Sequence, residues 1–328
     1  MVICDDIELV KNPKISIVVC TYNQEQYISS CLDSIINQKT NFDFEIIIGE
    51  DCGVDDTRKI CMDYQRHYPD KIKLLLHEQN LGMMGNYSKC IKEIRGEYMA
   101  NVGGDDYWCD PLKLQKQVDI LTDNQDYGVV FTAGILLYDN GVIKDHPKSY
   151  VSCENGDVRH LSQYGPLGLA SSMVARSELF QLVNFDEILE NGLPAEDYVI
   201  NAIWGLHTKF WFLEDKTIVR RVLKTSLSHR FGDKKYRQGI IKTRLYLGNK
   251  FPNDYVFDID GLNDEWNYLE FRDAIYNCKY KDAVKYKGLI SPSYQNKKQF
   301  CKLFKNRFSF IFLVIYIRLQ KLFYSPDQ

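Results

Sequence analysis

The sequence predicts an α/β protein with a doubly wound, mostly parallel sheet and a helical C-terminal extension. Three observations lead there. Between Ile15 and Ala133, short β-rich runs alternate with segments of helical period. The polar residues of that stretch gather where the β-rich runs end. After about Asp233 the alternation gives way to polar, Tyr-rich sequence that finishes basic and apolar. A boundary near Asp233 follows, with a main domain over 1–233 and an extension over 234–328.

Taken in order, the expected strands are 15–20, 44–48, 72–76, 98–102 and 128–131, each rich in Val, Ile, Leu, Phe or Tyr. Ile28, Cys31, Leu32, Ile35 and Ile36 recur at spacings of three and four, which predicts an amphipathic helix after Asn23 with Asn23 as its cap. Ile60, Cys61 and Tyr64 mark a second helix, with Asp55 or Asp56 at its start. Cys90, Ile91 and Ile94 mark a third. Further on, Glu196 and Asp197 open a helical run over 198–206, and 217–222 reads as another β-rich run.

With 328 residues, 45% of them hydrophobic and 13% aromatic, the chain buries a sizeable core. Its formal charge of −3 excludes a chain-wide field for nucleic acid. The first residues lack the basic and apolar blocks of a secretory leader, so the expected location is cytoplasmic. The ten cysteines show no Cys-x-x-Cys spacing and read as free thiols, several of them buried.

Open α/β sheets hold ligands beyond the carboxyl ends of their strands. Here those ends read Thr21-Tyr22-Asn23, Gly49-Glu50-Asp51-Cys52-Gly53 and Gly103-Gly104-Asp105-Asp106-Tyr107-Trp108. Two adjacent carboxylates after a Gly-Gly turn suit a hard divalent cation that shares its shell with a diphosphate. The plainer alternative is a solvated turn in which Asp110 caps the next helix. Glu50 or Asp51 has the acceptor oxygens to bond a base N–H. Glu196 and Asp197 read either as catalytic carboxylates or as an acidic first helical turn favoured by the helix dipole.

The joint order of Ile17-Val-Val-Cys-Thr-Tyr-Asn, Ile46-Ile-Ile-Gly-Glu-Asp-Cys, Asn80-Leu-Gly, Gly104-Asp-Asp-Tyr-Trp-Cys-Asp-Pro-Leu-Lys-Leu-Gln-Lys-Gln and Ala195-Glu-Asp-Tyr resembles the family 2 glycosyltransferases. The resemblance covers about the first two thirds of the chain. It implies the glycosyltransferase A fold, a nucleotide-sugar donor (usually a uridine nucleotide), Mn2+ or Mg2+ on the diphosphate, and inverting transfer to an acceptor hydroxyl. By carry-over, Thr21, Tyr22 and Asn23 line the nucleotide, Glu50 and Asp51 its base, and Asp105 and Asp106 the ribose and metal. His229 is a further metal or diphosphate ligand, and Arg220, Arg221 and Arg230 are candidates for phosphate. Asp197 is the base that accepts the acceptor's proton, with Glu196 orienting it. Gly103 stands where the family often has its first metal-motif aspartate, a departure that bears on ribose recognition.

The implied acceptor is a growing glycan or lipid-linked saccharide. A nucleotidyltransferase is the enzymatic alternative, but no Gly-rich phosphate loop follows the first strand. A binding module without turnover is the other alternative, and it gives no reason to keep Asp105, Asp106 and Asp197 together. From Lys285 to Lys321 the sequence has no Asp or Glu, and its uncharged run 308–317 is too short to span a bilayer. That segment reads either as an interfacial helix in peripheral contact with the inner face of a membrane or as a terminal core helix.

Overall fold

The structure, a computed structural model, describes residues 2–4, 9–146, 156, 168–193, 196–223 and 232–323. Its contacts divide the chain into two units, Met1–Arg230 and Phe231–Gln328.

In the first unit, β1 (Val2–Cys4) is followed by β2 (Ile15–Thr21), α1 (Ile28–Ile36), β3 (Phe44–Glu50), α2 (Thr57–His67), β4 (Ile72–Leu76), α3 (Gly82–Ile91) and β5 (Tyr98–Gly103). Strands β3 and β4 are buried along their whole lengths, as expected of parallel strands covered on both faces. Ile15, Ile17 and Val19 of β2 pack with Ile28, Cys31, Leu32 and Ile35 of α1 in one core, so the period-two stripe of the strand meets the three-and-four stripe of the helix. The chain continues through β6 (Tyr107–Trp108), α4 (Lys113–Asp123), β7 (Tyr127–Tyr138), β8 (Ile143–Asp145), β9 (Val174–Arg176), α5 (Phe185–Glu190), α6 (Glu196–Gly205) and β10 (Lys209–Val222).

Among the described residues these strands form one mixed sheet in the order β1-β4-β3-β2-β5-β9-β7-β10-β6, with β8 beside β7. Strands β4, β3, β2 and β5 are mutually parallel, β9 is antiparallel to both β5 and β7, and β10 runs parallel to β7. The architecture is a mixed α/β sheet with a helical C-terminal region.

Local details depart from the sequence pattern. The strand expected over 128–131 runs to Tyr138, and the run 217–222 is the end of the longer β10, because the two pair side by side across register shifts. Asn23 does not cap α1. It lies at φ 52°, its carboxamide oxygen accepts from Val54 N at 2.8 Å, and Tyr27 holds the cap position. Asp56 holds the cap position of α2, and Asp55 just before it accepts from Thr57 N at 3.0 Å.

The second unit is helical: α7 (Gly232–Lys250), α8 (Ile259–Tyr276), α9 (Tyr280–Leu289), α10 (Pro292–Lys297), α11 (Gln299–Leu303) and α12 (Arg307–Phe323). Asp258 caps α8 through Gly261 N, and Ser291 caps α10 ahead of Pro292. Phe271, Ile275, Ile290, Phe304, Phe310 and Leu313 share one core, so part of the apolar tail packs inward. No helix among the described residues is long and apolar enough to cross a membrane.

Candidate active site

The parallel register brings three polar strand ends together. Thr21 of β2 lies opposite Glu50 of β3, and Cys20 lies opposite Gly103 of β5. Gly104 lets the β2 and β5 ends touch: a Cβ there would sit 2.5 Å from Gln24 Oε1 and 2.8 Å from Thr21 Oγ1. Thr21 is buried and donates to Gln24 Oε1 at 2.7 Å, whereas Tyr22 is exposed.

At the β3 end the charge is enclosed. Glu50 is fully buried, accepts from Gly53 N at 2.6 Å and pairs with Arg58, whose other amino group donates to His77 O at 2.6 Å. Its carboxylate therefore closes the 50–58 turn from inside the fold. Asp51 is also buried but accepts from Leu81 N at 2.7 Å, and Asn80 Nδ2 donates to its carbonyl at 3.1 Å. Burial pushes its carboxyl up, against the pull of the Leu81 and Gly82 N–H groups. A carboxylate has about four lone-pair sites, so two N–H donors leave Asp51 capacity for another.

At the β5 end the charge is left over. The β6 and β10 strands pair antiparallel, Tyr107 with Val219 and Trp108 with Ile218, which runs the next residues, Arg220 and Arg221, alongside Asp106 and Asp105. Asp106 is buried and accepts from Arg221 N at 3.0 Å and from Ser171 Oγ at 2.8 Å. Burial, then the neighbouring Asp105, pushes its carboxyl up to about 7. Asp105 is half-buried and also raised, chiefly by burial, while Arg220, Arg221 and a bond from Gln24 oppose the rise. A Cβ on Gly103 would lie 2.9 Å from Asp105 Oδ1, so an acidic side chain there would crowd this pair with a third charge.

Arg221 is committed internally. It donates to Asp105 O at 2.6 Å and Ser30 Oγ at 2.9 Å, and its guanidinium lies between the Tyr27 and Tyr107 rings, 5.2 and 4.7 Å from their centroids. It braces the acidic turn. Arg220 is different. Its positive charge opposes the burial that raises the carboxyls of Asp105, Asp106 and Asp197.

Asp197, in the first turn of α6, accepts from Tyr198 N at 2.8 Å, and burial raises its carboxyl. The helix start thus carries a carboxylate with enhanced proton affinity. The side chains of Glu196, His229 and Arg230 lie outside the described residues.

Among the described residues no three His, Cys, Asp or Glu side chains gather within metal-binding reach. The chemistry of Asp105 and Asp106 nonetheless fits Mg2+ or Mn2+: two oxygen-donor carboxylates, crowded and short of positive charge, are what a hard cation completed by phosphate oxygens and water requires. Asp106 already accepts two protein hydrogen bonds, and Asp105 is the more accessible of the two. Gln24, Ser171 and Ser30 carry no motif of their own in the sequence, and only their placement reveals them. A separate cavity of about 640 Å³ beside Glu97, Arg176 and Phe180 contains none of these residues, and its Arg176 is engaged by the Tyr127 and Leu121 carbonyls.

Residues 16–166 match the family model described as glycosyl transferase family 2. An uncharacterized protein of Mycobacterium bovis is 40% identical over 126 residues, which is 38% of this chain and 36% of that protein. The uncharacterized glycosyltransferase MJ1057 of Methanocaldococcus jannaschii is 28% identical over 190 residues, covering 57% of this chain and 62% of that one. The chain thus spans about a third of the length of the first relative and less than two thirds of the second. Among solved structures, S. aureus TarS 1-349 in complex with UDP-GlcNAc aligns with TM-score 0.57 and 17% identity over 94% of this chain and 92% of that one. The mannosyltransferase PcManGT from Pyrobaculum calidifontis, in complex with GDP-Man and Mn2+, aligns with TM-score 0.55 and 14% identity over 96% and 82%. The family match is confined to residues 16–166, and the solved structures, under 20% identical, show a shared fold of the glycosyltransferase A type. The matched segment contains the β2, β3 and β5 ends, while Asp197 and Arg220 lie beyond it.

Proposed function

We propose that the chain is an inverting, metal-dependent glycosyltransferase that moves a sugar from a nucleotide-diphosphate donor, a UDP-sugar in the first instance, to an acceptor hydroxyl of a growing glycan or lipid-linked saccharide. The observation that carries this reading is the adjacent carboxylate pair Asp105 and Asp106 at the end of β5, with Asp106 held by Ser171 Oγ and Arg221 N and both carboxyls raised by burial. The UDP-GlcNAc held by TarS favours uridine, and the Mn2+ in the PcManGT complex favours a divalent ion.

In this reading Tyr22, Asn23 and Asp51 face the nucleotide, and Asp51 accepts from the base N–H. Asp105, held by Gln24, and Asp106, held by Ser171 and Arg221 N, ligate the ion. When bound, that ion neutralises charge on the departing diphosphate. Arg220 supplies further positive charge on the same side. Asp197 takes the acceptor hydroxyl proton, and the proton affinity that burial raises suits it to that work. Inversion follows if the acceptor enters from the face opposite the diphosphate.

The test is release of UDP from a panel of UDP-sugars with Mn2+, with and without chelator. Asp197→Asn should retain donor binding and lose about 100-fold to 10,000-fold in turnover. Full activity in Asp197→Asn together with a dead Glu196→Gln would move the base to Glu196. Full activity in excess chelator would remove the metal.

A further inference from the structure

Residues 283–326 contain no Asp or Glu but hold Lys285, Lys287, Lys297, Lys298, Lys302, Lys305, Arg307, Arg318 and Lys321. Helix α12 lies within this cationic stretch, and its apolar residues occupy two faces rather than one. Phe310, Leu313 and Val314 are buried in the core of the helical unit. Phe308, Ile311, Phe312 and Ile315 are 85%, 50%, 63% and 52% exposed. At about 100° per residue the exposed set falls within an arc of roughly 100°, centred nearly opposite the buried set. Single exposed apolar residues need no explanation, but four neighbours on one helical stripe mark a surface that another apolar phase covers.

We propose that this outer face of α12 docks on an anionic lipid bilayer, with Phe308, Ile311, Phe312 and Ile315 entering the interface and the surrounding cations facing the headgroups. The helix is not long and apolar enough to cross, so it lies in the plane, one face on its own unit and one on the membrane. Exposed Lys302, Lys305 and Arg307 adjoin the apolar stripe at its start. Charge selects this occupant over a second copy of the chain. Pairing two α12 faces would bring two acid-free cationic segments together, whereas anionic headgroups complement them. Each cation near such a surface strengthens binding on the order of fivefold. The inference is independent of the sugar-transfer reading.

The test is flotation of the full chain with vesicles of phosphatidylcholine alone and with phosphatidylglycerol added to about one third. Binding is expected only to the anionic vesicles and should weaken as salt rises. The double variant Phe308→Ser with Phe312→Ser should lower the bound fraction at least about tenfold while keeping the parent melting temperature, since both side chains are exposed. Leu313→Ala, on the buried face, should instead lower the melting temperature. Three results would each overturn the proposal: no binding to anionic vesicles, undiminished binding of the double variant, or a dimer in sedimentation that the double variant converts to monomer. The last would assign the face to a second copy.

Discussion

Glu50 at the end of β3 and Asp105 and Asp106 at the end of β5 flank the same strand, β2, yet their charges are handled in opposite ways. Glu50 is fully buried and has its own cation, Arg58, together with the Gly53 N–H. Asp105 and Asp106 sit beside each other, burial raises both, and the Arg221 guanidinium bonds the Asp105 carbonyl rather than either carboxylate. A compensated carboxylate holds the fold together. An uncompensated pair weakens it and awaits a ligand that brings positive charge. Position in the sheet does not distinguish the two cases; the counterion does.

That contrast makes substitutions at the two ends separable. The largest effect is expected from Asp105→Asn, which should cost about 1,000-fold or more in metal-dependent turnover while leaving the melting temperature unchanged or higher, because it removes crowded charge. Equal activity with and without the carboxylate, measured by UDP release across a Mn2+ titration, would break the comparison. Next, Glu50→Gln should act on the fold, lowering stability in denaturant by about 2–3 kcal/mol. The loss falls short of the largest for a buried pair because Arg58 is about one third exposed and can turn to water. If Glu50→Gln instead folded as well as the parent but lost donor affinity, the β3 end would be a ligand site after all.

A third test concerns Lys113, behind the β5 end. It is fully buried, donates to Gln117 Oε1 at 2.6 Å and lies 4.4 Å from the Trp108 ring centroid, and burial lowers its ammonium to about 7. A lysine so lowered burdens the folded state wherever the unfolded chain is protonated. The burden is full below pH 7 and disappears as pH rises toward about 10.4. Lys113→Met should therefore be more stable than the parent near pH 7 by about 1–2 kcal/mol, with the gap closing by pH 10. Melts of both proteins at several pH values would expose a constant gap, which would refute the assignment. The smallest effect is expected from Ser171→Ala. It removes one bond to Asp106 and should weaken donor binding about threefold to tenfold, read by titration with UDP and Mn2+.

The strands and helices of the first unit were legible because their signals are local. The runs at β2 and β3 are rich in Ile and Val, β4 is rich in Leu, and α1 repeats at three and four. Asp105, Asp106 and Asp197 were legible because acidic residues at strand and helix ends are conspicuous against that pattern. Asn23 was misread as a cap because its type favours both capping and the left-handed backbone it adopts, and only the Val54 N–H across the turn separates the two.

By itself the sequence determined which residues line up along each strand and helix, and so which polar groups reach the strand ends. That information resides in periods of two and 3.6, set by the backbone alone. Tertiary structure decided which charges are spent. Arg58 neutralises Glu50 from eight residues away, Arg221 braces the Asp105 turn from the β10 ladder, and the charge of Arg220 favours ionised Asp105, Asp106 and Asp197. The placement of Arg220 and Arg221 beside Asp105 and Asp106 depends on register between strands more than a hundred residues apart. A charge's role follows from the field of neighbours that register supplies, which no local pattern encodes.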